Sequence, residues 1–167
     1  MSFHGGAIGV ILSLFIFAWR YDYPIFRVSD PIVTILPVAL GLGRIGNYIN
    51  GELPGYIGYT GPFPMMIGGV SHFPSPLLQA LLEGPILLGI LLSVSLWQQK
   101  NRNIPGLLSG FFLGTYGIMR IGTEFFRLPD AHIGYLWGTD WLTLGMLYSL
   151  PMIIGAVIIC ILIRKSY

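Results

Sequence analysis

The chain has 167 residues, of which 54% are apolar and only 10% charged, and its formal net charge is +2. A soluble domain usually carries about a quarter charged residues, so this composition excludes an ordinary soluble protein and indicates one integral membrane domain, residues 1–167. The small net charge and the absence of a basic block exclude a nucleic-acid partner. The single cysteine, Cys160, excludes a disulfide framework and a zinc site.

Five apolar segments follow one another along the chain. They are 5–19, 31–50, 76–97, 105–126 and 141–163. A helix needs about 20 mainly apolar residues to cross the hydrocarbon core of a bilayer. We therefore predict an all-α, polytopic membrane protein with about five transmembrane helices.

Five of the six prolines in these segments bear on predicted helix starts and kinks. Pro31, Pro76 and Pro105 are expected at helix starts, where the missing backbone N–H has no intrahelical partner to lose. Pro37 and Pro151 are expected inside helices, which they would kink.

Lysine and arginine fall mainly on one side of this five-span topology. The basic residues on that side are Arg20, Arg27, Lys100, Arg102, Arg164 and Lys165. The opposite side has only Arg127 outside the spans. Since positively charged loops stay in the cytoplasm, we predict that the N-terminus faces outward and the C-terminus faces the cytoplasm.

The polar residues that are energetically unfavourable inside a bilayer lie at the outer ends of the predicted spans. They are His4, Arg44, Asn47, Asn50, Glu52, Glu83, Arg120, Glu124, Arg127 and Asp130. Charged side chains inside a bilayer usually face a cavity, a partner or a functional site. Glycines at 41, 43, 46 and 51 would allow close approach of a second helix or of a ligand.

Two arginines on different helices, Arg44 and Arg120, are the strongest indication of a ligand. A guanidinium group is always charged and donates paired hydrogen bonds, so two arginines can clamp a phosphate. The helical spacing places Glu124, Tyr116 and Arg127 on the same face as Arg120. The sequence therefore predicts a phosphate site near the outer face.

Several of these residues also have a structural interpretation. Arg120 and Glu124 can form an ion pair that only stabilises the fold, and Arg127 with Asp130 can form an interfacial anchor. For Glu83 we favour a buried carboxyl group that is hydrogen-bonded to a neighbouring helix. The coincidence of all these groups at one depth is what favours a functional site.

Several stretches of the chain resemble one known family. MSFHGGAIGV at 1–10, GRIGNYINGELPG at 43–55 and YGIMRIGTEFFRLPD at 116–130 resemble motifs of bacterial prolipoprotein diacylglyceryl transferases. PSPLLQALLEG at 74–84 and SLPMIIG at 149–155 resemble further blocks of that family. The resemblance extends along nearly the whole chain.

The resemblance implies a specific reaction. Such an enzyme transfers the diacylglyceryl group of phosphatidylglycerol to the lipobox cysteine thiol in the signal peptide of a prolipoprotein, and glycerol phosphate leaves. It also implies a multi-pass protein of the bacterial inner membrane, surrounded by membrane lipids, with its active site on the outer side. No metal and no organic cofactor are expected.

The resemblance and the predicted depth together give the candidate site residues. The candidate catalytic residues are Arg44, Arg120, His4, Glu124 and Glu52. The candidate substrate-binding residues are Arg44, Asn47, Asn50, Gly55, Tyr116, Arg127 and Asp130. Arg44 and Arg120 would stabilise the leaving phosphate, and Glu124 would orient Arg120. His4 is the candidate base for the thiol proton, with an ordinary polar residue as the alternative.

The chain also departs from the family pattern. Members usually have seven membrane helices, and MSFHGG normally follows two of them, so we expect the first two family helices to be missing. The region between Glu52 and His72 is short for the family's periplasmic head. HFPSPLLQA at 72–80 lacks a usual tyrosine and glutamate, and TLGM at 143–146 replaces an SMGQ-like stretch.

Two other functional classes remain open from the sequence. A degenerate relative would bind anionic phospholipid without catalysis. An anion transporter or channel would string polar residues across the whole bilayer depth. Because the inner halves of the third and fifth spans are almost purely apolar, the transporter ranks last.

Overall fold

The computed structural model describes residues 3–129 and 134–166, with side chains described for residues 8–129 and 134–165. The elements, in chain order, are α1 (Phe3–Arg20), α2 (Ile25–Ile49), β1 (Met65–Ile67), β2 (Val70–His72), α3 (Ser75–Leu81), a π-helical segment (Leu82–Ile86), α4 (Leu87–Lys100), α5 (Leu107–Glu124), a short 3-10 helix (Leu136–Gly138) and α6 (Leu144–Ser166). The fold is mostly helical, as the composition predicts.

Within the described part of the chain, three helices are long and apolar enough to cross a membrane. They are Ile25–Ile49, the continuous helix Ser75–Lys100, and Leu144–Lys165. The apolar part of α1, Ile8–Arg20, is shorter. Each of the five predicted segments contains a helix, whereas the number of membrane crossings and their direction stay predictions.

The prolines correct one predicted boundary. Pro31 is expected from the sequence at a helix start, but it lies inside α2, because that helix already begins at Ile25, just after Pro24 with its φ of −59°. Pro76 occupies the first turn of α3, as predicted. Pro37 and Pro151 lie inside α2 and α6, also as predicted.

The core lies where α2, α4 and α5 meet. Its buried residues are Leu87, Leu91, Leu108, Phe112 and Tyr116. The rings of Phe112 and Tyr116 stack, with centroids 5.7 Å apart. α5 also packs closely along α6, where a Cβ on Gly117 would lie 2.9 Å from Cγ1 of Ile153. Tyr116 therefore belongs both to the apolar core and to the polar layer described below.

The loop from 51 to 74, here called the loop cap, covers the end of the helices that carries the arginines. It contains an antiparallel hairpin in which Met65 pairs with His72. A backbone bridge joins Gly55 to Arg127, just beyond α5. The hairpin is not predicted from the sequence, because three-residue strands give no periodic signal.

Asp30 connects α2 to the start of α5 at the opposite end of the molecule. It is only 8% exposed. Its carboxylate accepts hydrogen bonds from the backbone N–H of Gly106 at 2.7 Å, the backbone N–H of Ser109 at 3.0 Å and the Ser109 hydroxyl at 2.6 Å. These contacts satisfy N–H groups that the first turn of a helix leaves unpaired, and a negative charge is favourable there. Asp30 thus fixes the two arginine-bearing helices against each other.

Candidate functional site

Arg44, near the end of α2, pairs with Glu83 of the π-helical segment. Its Nε donates to Oε2 of Glu83 at 2.7 Å, and Nη2 donates to Oε1 at 3.4 Å. Glu83 is completely buried. A buried carboxylate needs such a partner, since an unpaired charge away from water is costly. The preferred interpretation of Glu83 as a buried carboxyl bonded to a neighbouring helix is confirmed.

Two glycines allow this pairing. A Cβ on Gly41 would lie 3.0 Å from Cα of Gly84, so α2 and the π-helical segment cross in backbone contact. Arg44 lies one turn after Gly41, and Glu83 directly precedes Gly84. At the other glycines proposed for close approach, those at 43, 46 and 51, an added Cβ would meet no described atom within 4 Å.

The π-helical segment changes the direction of side chains at the site. It contains Pro85, which has no backbone N–H to donate to the preceding turn. Single π-helical turns often occur at functional sites, where the extra residue redirects the side chains around it. Here the turn includes Glu83, the partner of Arg44.

The last turn of α5 holds a second buried carboxylate between two arginines. Nη1 of Arg120 lies 2.7 Å from Oε2 of Glu124, and Nη1 of Arg127 lies 3.2 Å from Oε1. Glu124 is 3% exposed. Arg127, expected from the sequence to form an interfacial anchor with Asp130, pairs with Glu124 among the described residues. Asp130 lies outside the described residues.

Gly145, in the first turn of α6, provides the space for Glu124. A Cβ at this position would lie 2.7 Å from Oε1 and 2.8 Å from Cδ of Glu124. Such distances are too short for ordinary contact, so the carboxylate rests directly on the α6 backbone. The TLGM stretch at 143–146 therefore helps to hold the Arg120–Glu124 pair.

Tyr116 lies close to residues of both ion pairs. It is 8% exposed, and the charges of Glu83, Arg44 and Arg120 all act on its hydroxyl. The structure therefore brings together three elements: the end of α2, the π-helical segment and the last two turns of α5. The three arginines and two glutamates of this polar cluster carry a formal charge of +1.

The remaining predicted site residues occupy the rim. Asn47 is half-buried on α2, while Asn50 and Glu52 are exposed just beyond it. Gly55 is a buried residue of the loop cap, and a Cβ on it would lie 2.5 Å from the carbonyl oxygen of Phe126. His4 lies in the first turn of α1, and its side chain is outside the described part of the chain.

Asp30 and Gln79 are among the buried polar residues that the sequence interpretation missed. Asp30 could have been recognised as an acidic residue in an apolar segment that needs a donor such as the start of another helix. Gln79, fully buried on α3, gave no separate signal in a stretch that was compared only with family motifs. Among the described residues, no group of three His, Cys, Asp or Glu side chains lies close enough to hold a metal ion.

Comparison with known proteins identifies the family. The family described as prolipoprotein diacylglyceryl transferase matches residues 1–162. A relative from Sinorhizobium medicae (strain WSM419), named phosphatidylglycerol–prolipoprotein diacylglyceryl transferase, is 45% identical over 155 residues, which cover 91% of this chain and 54% of the relative. A relative of the same name from Hydrogenovibrio crunogenus (strain DSM 25203 / XCL-2) is 45% identical over 160 residues, with 92% of this chain and 58% of the relative covered.

A third relative of that name, from Chromohalobacter salexigens, is 37% identical over 169 residues, which cover 99% of this chain and 61% of the relative. The chain thus spans 54 to 61% of the length of these three curated relatives. The match over residues 1–162 includes every element that contributes to the polar cluster. The chain belongs to the prolipoprotein diacylglyceryl transferase family.

Proposed function

We propose that the protein transfers the diacylglyceryl group of phosphatidylglycerol to the lipobox cysteine of a prolipoprotein. The names of its relatives, phosphatidylglycerol–prolipoprotein diacylglyceryl transferase, support the type of reaction. One observation carries this proposal. Arg44 and Arg120, from two different helices, converge on Tyr116 in a buried cluster of net charge +1. Such a cluster suits a phosphate with one negative charge, and it excludes most of the water that would weaken the attraction.

The charge changes of the reaction fit this cluster. A cysteine thiolate attacks the glyceryl carbon that is bound to the phosphate, a C–S bond forms and the C–O bond breaks. The electron pair of that bond stays on the phosphate oxygen, so glycerol phosphate leaves with two negative charges where the diester had one. Fixed positive charges stabilise this added charge without reorganising, which lowers the barrier.

Each ion pair has a role in this proposal. Glu83 and Glu124 hold the guanidinium planes of Arg44 and Arg120 and leave part of each fork for phosphate oxygens. Arg127 shares the carboxylate of Glu124 and adds positive charge to the cluster. Asn47, Asn50, Glu52 and Gly55 line the substrate entrance in this proposal.

The thiol proton requires a base, because a free cysteine is mostly protonated near neutral pH. His4 is proposed for this role on the basis of family resemblance. Full activity of His4→Gln at neutral pH would contradict it. A remaining activity that rises with pH would support it, because the substrate thiol then ionises without help.

We further propose five membrane crossings in the bacterial inner membrane, with the N-terminus and the polar cluster on the outer side. The end of α2, the start of the Ser75–Lys100 helix and the end of α5 meet in the cluster, as alternating crossings would require. In a Cys160→Ser background, a cysteine at Thr60 in the loop cap should react with an impermeant maleimide added to intact spheroplasts. Labelling only after the membrane is opened would contradict this orientation.

The activity is tested with the full chain in nanodiscs that contain phosphatidylglycerol. A lipobox peptide is added, and mass spectrometry looks for a diacylglyceryl adduct on its cysteine. We expect an adduct with the wild type and with Arg164→Ala, and none with Arg120→Ala. Bound phosphatidylglycerol without any adduct would contradict catalysis and support the alternative, a relative that binds anionic phospholipid.

A further inference from the structure

Gln79 is a buried amide next to the polar cluster to which no role has been assigned. It lies on α3, one helical turn before Glu83, and it is 0% exposed. Neither its Nε2 nor its Oε1 has a hydrogen-bond partner among the described residues. Burial of an amide with both ends unpaired destabilises a fold. A buried amide of this kind is therefore expected to bind a partner.

The position of Gln79 relates it to the site. α3 contacts both α2 and α5, the two helices that carry the arginines. A Cβ on Gly41 would lie 3.4 Å from the carbonyl oxygen of Ala80, the residue after Gln79. Arg44 follows Gly41 by one turn of α2. Gln79 therefore lies one helical turn before Glu83 along the chain, and the residue after it contacts α2 one turn before Arg44.

A second buried glutamine shows how an ordinary structural amide is accommodated. Gln98, at the far end of α4, is 7% exposed, and its Nε2 donates to the carbonyl oxygen of Ile104. That amide ties the end of α4 to the following loop. Gln79 makes no comparable contact within the described part of the chain, so a structural role of this kind does not account for it.

The two free ends of the amide restrict the chemistry of its partner. An ionised phosphate only accepts hydrogen bonds and would leave Oε1 unpaired, whereas a hydroxyl group both donates and accepts. Phosphatidylglycerol carries two hydroxyls on its terminal glycerol, beyond the phosphate that the arginines attract. We propose that Gln79 binds this terminal glycerol and selects phosphatidylglycerol over lipids that share only its phosphate. The inference rests on the proposed function.

The test compares two lipids and two matched variants. The purified full chain is titrated with phosphatidylglycerol and with phosphatidic acid of the same acyl chains, and bound lipid is counted by native mass spectrometry. For Gln79→Met we expect a Kd for phosphatidylglycerol raised about tenfold, and a Kd for phosphatidic acid within about twofold of the wild type. Gln98→Met should change neither Kd.

Thermal unfolding in lipid-free detergent separates binding from folding. Gln79→Met should unfold no earlier than the wild type, because it removes an unpaired buried amide, whereas Gln98→Met should unfold earlier. An unchanged phosphatidylglycerol affinity in Gln79→Met would overturn the inference alone, as would an equal loss for both lipids. A wild type that binds neither lipid would overturn the proposed function and this inference with it.

Discussion

Arg44 and Glu83 are 39 positions apart in the chain, yet Nε of the one lies 2.7 Å from Oε2 of the other. This contact joins the second helix of the chain to the π-helical segment and brings both beside Tyr116 of α5. The proposed phosphate site therefore depends on three packed elements. Its geometry depends on backbone contacts, such as that of Gly41 with Gly84, as much as on the arginines themselves.

Removal of Glu83 should strongly destabilise the protein. Glu83→Ala leaves the Arg44 guanidinium buried without its counter-ion, and breaking a buried pair in this way costs about 3–5 kcal/mol. The free energy of unfolding in detergent, measured by denaturant titration, provides the test. The double variant Arg44→Met with Glu83→Met should lose less than Glu83→Ala, whereas an equal or larger loss would show that the pair is not coupled.

Gly145→Ala should impair the site with little effect on the rest of the fold. The new methyl group would lie 2.7 Å from Oε1 of Glu124, so the carboxylate must move and Arg120 loses its orientation. Displacement of a catalytic group by about 1 Å can lower a rate by about 100-fold, and we expect a loss of that order in adduct formation. Gly155→Ala on the same helix meets only Leu113 at an ordinary 3.5 Å and serves as the control. Equal rates for the two variants would contradict the role of Gly145.

Gly41→Ala and Gly43→Ala should have effects of opposite sign. At 41 the added carbon meets Cα of Gly84 at 3.0 Å and forces the helices apart, which we expect to cost about 1–3 kcal/mol. At 43 it meets no described atom within 4 Å, and the better helix propensity of alanine should stabilise by up to about 1 kcal/mol. Thermal unfolding of both variants in the same lipid measures the difference. A destabilised Gly43→Ala would indicate a partner on that face of α2.

Asp30→Ala should destabilise the protein from the end opposite to the arginines. Three hydrogen bonds to a charged acceptor are lost, and α5 retains unpaired N–H groups in its first turn. We expect a loss of about 2–3 kcal/mol, and a smaller loss for Asp30→Asn, which keeps an acceptor oxygen. Asp140→Ala, at an exposed position, is the control and should stay within about 0.5 kcal/mol of the wild type.

The sequence predicts well those parts of the site that depend on spacing within one helix. The pairing of Arg120 with Glu124 follows directly from four residues of α-helix, and Arg127 is expected on the same face. The convergence of Arg44 and Arg120 is predicted from the direction of the spans. Family resemblance adds the proposed substrates, which spacing alone does not give.

Other features could not be predicted because they depend on how helices cross. The partner of Arg44 is fixed by the backbone contact of Gly41 with Gly84, which no local pattern reveals. Propensity favours Pro31 at a helix start, but α2 begins six residues earlier, at Ile25. Asp30 therefore lies inside the helix, where its carboxylate bonds the start of α5. The hairpin of the loop cap is held by partners outside itself, such as the bridge of Ile57 to His72.

The contact of Asp30 with Ser109 also bears on how the chain is made. These residues are 79 positions apart, so the Asp30 carboxylate has no bond to Ser109 during synthesis until α5 has been made and has packed beside α2. A chain that stops before Gly106 keeps an acidic group in an apolar helix without these donors, and an unpaired charge of this kind is costly inside a bilayer. The bond between Asp30 and Ser109 can form only after most of the chain has been made, and it lies at the end of the molecule opposite to the arginines.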